Sequence, residues 1–264
     1  MILDKAAAVL KKDALMALRY RNGFLLNTAS PILQLSAFYY LARAIGPQFR
    51  PDGMPYFLFL LIGTGFYTFL LTGMYGLLRN IQETQQSGML EVLMTSSTRP
   101  ALLLTLSAVS AFGSAFVQLA IYAVAGALVS AKGLHLNIFA IVLVFAFSAL
   151  IAIAIGIVAA GLQIAVHKGS AVMWALGSIS WLVTGTLFPV AVLPRPARLF
   201  ANLLPFTHSL HGMRLAMLQS MSSSGLRMEI GTLFLFAVLL VPLSAVFFSW
   251  TVRRARQLGT LSLQ

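Results

Sequence analysis

Few side chains in this 264-residue chain can do acid–base or metal chemistry. Its six acids are Asp4, Asp13, Asp52, Glu83, Glu91 and Glu229, spread from end to end. Membrane hydrolases and phosphotransferases need convergent carboxylates, histidines or a Ser–His pair. The one local cluster is His208 and His211, a helical turn apart, with Arg214 one turn further. A metal or catalytic pair is conceivable there, but the polar face of an interfacial helix is the commoner use of such spacing. With no cysteine, a disulfide, a Cys-ligated zinc site and a thiol nucleophile are excluded. Neither G-x-x-x-x-G-K-[S/T] nor H-E-x-x-H occurs, so this sequence does not bind ATP in the P-loop manner.

The elements around these residues are apolar. The chain is 59% hydrophobic and 9% charged, with a mean hydropathy of +0.89. Lipid cannot hydrogen-bond a backbone, so spanning segments must be helices or a closed barrel. Long runs such as 138–165 favour helices, since a barrel needs short stretches of alternating polarity. The net charge of +12 suggests nucleic acid at first. No soluble basic face exists to carry that reading, and basic residues at cytoplasmic margins explain the number instead.

Residues 1–23 read as an amphipathic helix in the headgroup plane. Leu3, Ala7, Leu10, Ala14 and Ala17 share one face, and Lys5, Lys12 and Arg19 the other. Six spans are expected at about 24–44, 56–78, 101–130, 136–166, 169–188 and 230–252, followed by a cytoplasmic tail at 253–264. Gly63, Gly65, Gly73 and Gly76 in the second, and Ala152, Gly156 and Ala160 in the fourth, allow close helix packing. Proton- or sodium-driven carriers usually keep an ionisable residue at mid-membrane. None of the six acids falls there. Pro189, Pro194, Pro196 and Pro205 break the apolar stretch 189–228, so it cannot be one span. Two short helices fit it, at about 197–204 and 207–219.

With six spans, one side of the membrane holds Lys5, Lys11, Lys12, Arg19, Arg21, Arg79, Arg99, Lys168, Arg253, Arg254 and Arg256, which is 11 of the 18 basic residues. That side is expected to be cytoplasmic and to carry both termini.

Two stretches resemble the membrane subunits of ABC-2 type transporters, the exporter-type ABC permeases. Ser87-Gly88-Met89-Leu90-Glu91-Val92-Leu93-Met94-Thr95, followed by Arg99-Pro100, is similar to the family's G-x-L-E-x-L segment between spans two and three. Gly185-Thr186-Leu187-Phe188-Pro189, Leu193-Pro194, Leu204-Pro205 and Gly212-Met213-Arg214 resemble its G-x-x-F-P … L-P … N/L-P … x-R pattern after span five. The order of elements agrees along nearly the whole chain.

The resemblance implies an all-α integral membrane fold (ABC-2, or type V exporter). It would have six transmembrane helices, an N-terminal connecting helix, a cytoplasmic coupling helix, and short external re-entrant helices before the last span. Gly88 to Thr95 would be the coupling helix, with Glu91 its charged contact, Leu90 and Leu93 its apolar anchors, and Glu83 just before it. Pro189, Pro194, Pro205 and Arg214 would form the external gate. The implied partners are two copies of a cytoplasmic ABC ATPase, which would hold the ATP and Mg, and a second permease copy in a homodimer. This chain itself would hold no cofactor or metal, bind no nucleic acid and contact membrane lipid. The implied location is a bacterial cytoplasmic membrane.

Such permeases export drugs, lipids and lipid-linked glycans. Gln34, Tyr39, Tyr67, Trp174, Trp181, Thr184 and Phe188 are candidates for the substrate path; Tyr40 could join them. The polar residues of span one and the threonines of span five suit a modestly polar cavity, and the lack of a large external domain or carbohydrate-binding tail tilts the expectation toward a small or medium amphiphile. An ion-driven secondary carrier and a nontransport membrane assembly factor remain alternatives. The first would work without ATP, and the second would show no substrate-stimulated ATP turnover.

Overall fold

A computed structural model describes residues 21–86, 112–126 apart from 114 and 117, 137–166, 168–218 and 224–258. Among these, helix predominates and no strand occurs. The expected interfacial helix up to residue 20, the coupling segment 87–100, the outer parts of the 101–130 span and the tail from 259 lie outside the described residues.

In chain order the helices are α1 (Arg21–Ile45), α2 (Tyr56–Gln86), α3 (the described residues within 112–126), α4 (Ile138–Val166) and α5 (Gly169–Val183). Then come α6 (Arg195–Leu203), α7 (Pro205–Leu218) and α8 (Ser224–Leu258). Three of them, α2, α4 and α8, are both long and apolar enough to cross a membrane. Helix α1 has 25 residues, but Asn27, Pro31, Gln34 and Arg43 dilute its apolar content.

Helix α2 is the interior element. Its apolar window is 78% buried, against 33% for α4 and 17% for α8. Phe59, Leu60, Phe69, Leu70, Met74 and Leu77 are fully enclosed along it. The outer helices instead show Ile138, Phe139, Leu239, Leu243 and Val246 to their surroundings, as lipid-facing surfaces do. Helix α4 packs on both α2 and α8. Its Ala152, Gly156 and Ala160 are all buried. At Gly156 an added Cβ would sit 2.8 Å from Leu77 Cδ1, so the small face does bring helices close. Asn137 caps α4, its Oδ1 accepting from the Ala140 N–H at 3.1 Å, while its own N–H donates to Ala216 O and ties α7 in.

Helix α5 ends at Val183, five residues short of the expected bound at 188. Thr184 turns back on it: its N–H and its Oγ1 both donate to Ser180 O, at 2.9 and 2.6 Å. Gly185 then takes φ +85°, which side-chain-bearing residues avoid. At about 1.5 Å per residue, its 15 residues cover about 22 Å of a hydrocarbon core about 30 Å thick. The Pro-punctuated stretch forms a 3-10 turn at Val190–Val192 and then α6 and α7. These are the two short helices expected, shifted by one or two residues. Pro196 sits in the first turn of α6, where a missing N–H costs nothing.

Candidate functional site

The turn 184–188, between α5 and the two short helices, is tied from beneath by α2 and α7. Arg214, on α7, is 3% exposed. Its Nη2 donates to Phe59 O at 3.2 Å and Thr186 O at 3.4 Å, and its guanidinium lies 3.5 Å over the Phe59 ring. Its Nε has no hydrogen-bond partner among the described residues, and Asp52 is the charged group whose field it feels. A guanidinium is costly to bury unless partnered. Here carbonyls and an aromatic face do the partnering, and they come from two other parts of the chain.

Gly63 makes that approach possible. An added Cβ would strike Arg214 Nη2 and lie 2.8 Å from Thr186 O. Tyr56 adds a second tie, its hydroxyl donating to Leu187 O at 3.0 Å. Within the turn, Thr184 and Thr186 hydroxyls share a 3.2 Å hydrogen bond.

This arrangement brings together Arg214, Thr184, Phe188 and Pro189 of the sequence-stated candidates. Phe188 and Pro189 are half-buried. Pro194 precedes α6 as its cap residue and Pro205 is the first residue of α7, so both mark breaks.

The path candidates do not converge on one space. Tyr67 is buried, its hydroxyl donating to Gly177 O at 2.6 Å, which joins α2 to α5. Gln34 Oε1 accepts from the Tyr122 hydroxyl at 2.8 Å, joining α1 to α3. Tyr39 lines an open groove of about 410 Å³ between α1 and α3, with Tyr40, Leu35, Ser36 and Ile121. Trp174 is 69% exposed, whereas Trp181 packs against the core. Of the coupling candidates, Glu83 is exposed and pairs with Arg79 at 2.7 Å. Gly88, Leu90, Glu91 and Leu93 lie outside the described residues.

The His208, His211 and Arg214 cluster comes apart. Successive helical residues are about 100° apart, so Arg214 points about 120° from His208. Arg214 turns to α2, while both histidines meet Glu229 on α8. His208 Nδ1 is 2.8 Å from Glu229 Oε2, and His211 Nδ1 is 2.8 Å from Oε1. His208 Nε2 lies 2.9 Å from Asn202 O. The bond to Glu229 raises the His208 pKa above its ordinary 6.5; burial opposes this and the Asn202 carbonyl adds to it. Helix α7 is not among the described helices long and apolar enough to cross a membrane. No group of three His, Asp or Glu among the described residues is arranged to hold a metal. The i, i+3 spacing of His208 and His211 marks a shared face in the sequence, but nothing there joins that face to Glu229.

The family model described as "ABC-2 type transporter" matches residues 5–218. The chain belongs to the ABC-2 type transporter family. It is a multi-pass membrane protein, the permease subunit of an ABC transporter, and the family associates with an ABC ATPase subunit. No curated protein matches it.

Proposed function

We propose that this permease is the outward-moving gate of an ATP-driven exporter, worked by a separate ATPase through α2. The observation that carries the proposal is the course of α2. It is one unbroken helix of 31 residues, about 46 Å at 1.5 Å per residue. One end runs through Glu83 to Gln86, immediately before the coupling segment, and the other holds Phe59 and Gly63 against Arg214 and Thr186 O. A buried helix moves as a rigid body, so a push at one end displaces the clamp at the other.

In this reading Gly88 to Thr95 docks in a groove of the ATPase, with Glu91 as its charged contact and Leu90 and Leu93 as anchors. Glu83, paired with Arg79, stiffens the end of α2 next to it. The turn 184–188 with α6 and α7 forms the outer gate, re-entering the outer leaflet where protein covers its irregular backbone. Pro189, Pro194, Pro205 and Arg214 set its breaks and its lock. Two ATPase copies, holding ATP and Mg, serve a homodimer of this chain. The termini are cytoplasmic, the membrane is a bacterial inner one, and the cargo is a small or medium amphiphile. This chain carries no cofactor of its own. Its path is drawn from Gln34, Tyr39, Tyr67, Trp174, Trp181, Thr184 and Phe188.

The test is purification of the tagged full-length chain from its native membrane in mild detergent. A P-loop ATPase is expected to co-purify, with ATP turnover in the complex. Uphill transport by the purified chain without ATP, abolished by a protonophore, would replace this reading with an ion-driven carrier.

A further inference from the structure

We propose that His208, Glu229 and His211 form a protonation-controlled latch that locks α7 to α8. The geometry requires a charge state. A backbone carbonyl and a carboxylate anion can only accept hydrogen bonds. His208 faces one of each: Asn202 O at 2.9 Å from Nε2, and Glu229 Oε2 at 2.8 Å from Nδ1. Both ring nitrogens must therefore donate, which only the imidazolium does. His211 donates to the other carboxylate oxygen, so Glu229 is held from both sides across 18 and 21 residues of chain.

A neutral His208 has one N–H. It must release either Asn202 O, in the last turn of α6, or Glu229 on α8. Either loss loosens α7 on its α6 or α8 side, while Arg214 still ties it to α2 and the 184–188 turn, and Ser148–Ser209 and Asn137 N–H to Ala216 O still tie it to α4. Few charges compete. Helix α4, packed along α7, has no titratable residue, and α2 carries Arg79 and Glu83 only at its other end. On α6, Arg198 is committed to Ala191 O and Leu193 O, with Arg195 exposed at the helix start. On α8, Arg227 is exposed beside Glu229 and has a contact of its own. The Phe236 ring lies 6.0 Å from the His208 ring. The latch is closed in acid and opens as pH rises. That it faces the outside rests on the gate reading above.

The natural chain lacks cysteine, which makes thiol labelling clean. Ala216→Cys places a thiol between Ala140 and Leu226, under the latch. Met228→Cys places one at a position 75% exposed, beside Glu229. Each is introduced singly into the full chain, and membranes are treated with an impermeant maleimide from about pH 6 to pH 9, around the ordinary histidine range. The ratio of the 216 rate to the 228 rate cancels the thiolate effect. It is expected to rise about tenfold, the order of one lost hydrogen bond to a charged group. Adding His208→Gln should make the ratio flat with pH. A flat ratio in the parent, or an unchanged slope in His208→Gln, overturns the latch. Should that variant fail to reach the membrane, ring-nitrogen NMR of the parent decides: His208 doubly protonated at about pH 7, above the ordinary 6.5, supports the latch, and neutral His208 there refutes it. Labelling of Met228→Cys in intact cells tests the outside placement separately, since the pH profile of the ratio is read equally well in broken membranes.

Discussion

Alanine at Gly63 should destabilise the protein where a glycine-to-alanine change in a helix ordinarily helps. Alanine is favoured over glycine in a helix interior by about 0.8–1 kcal/mol. At Gly63 the new methyl meets two obstacles. One is the end of the Arg214 side chain, which can move only by weakening its bonds to Phe59 O and Thr186 O. The other is the Thr186 carbonyl at 2.8 Å, a backbone atom with little room to shift. Overpacking of this kind costs about 1–3 kcal/mol. Gly231 on α8 has nothing within 4 Å of its added Cβ and serves as the control. Gly63→Ala should therefore fall below Gly231→Ala by about 1–3 kcal/mol. Arg214→Met, an unbranched and adaptable side chain, should recover part of this gap, while the Thr186 contact should preserve the rest. The assay is the thermal loss of the monodisperse detergent-solubilised peak, with all four proteins compared at one heating rate. Equal stability of Gly63→Ala and Gly231→Ala would refute the close approach of α2, α7 and the 184–188 turn.

Other outcomes follow from the same contacts. Tyr67→Phe removes the hydroxyl that donates to Gly177 O and should cost about 0.5–1.5 kcal/mol in the same assay, with membrane insertion intact. Because the His208 pKa is raised in the folded protein, its contribution to stability is complete below the ordinary 6.5 and fades as pH climbs through the folded value. Thermal stability of the parent should thus decline across that window more than that of His208→Gln, measured in buffers of equal ionic strength. Glu83→Gln removes an exposed ion pair with Arg79 and should leave thermal stability within about 0.5 kcal/mol, because such pairs contribute little.

The sequence made some of these features legible and concealed others for a physical reason. Prolines act locally, so Pro194, Pro196 and Pro205 were enough to divide the stretch after α5 into two short helices. The small residues of α4 repeat every four positions, so their shared buried face could be read as well. Thr184 and Gly185 also act locally, but an apolar run through Phe188 hid the helix end they make. Partners across the fold were another matter. Helical periodicity says which residues share a face, not which helix lies opposite. Nothing in the sequence around Tyr67 names Gly177, 110 positions away. Arg214 looked like part of a polar surface with His208 and His211. Its actual place against Phe59 depends on Gly63 leaving room, a fact of packing between distant segments. In the sequence Glu229 is only one of six acids away from mid-membrane, and its two histidine partners emerge once α7 lies along α8.

If an ATPase drives this permease through the segment following α2, replacing Leu90 and Leu93 together with Asp should break the link. Purified from membranes alongside its ATPase, the double variant should insert normally, remain monodisperse and lose the ATPase that the parent retains. Retention of the ATPase at parental levels, with parental ATP turnover, would contradict that link.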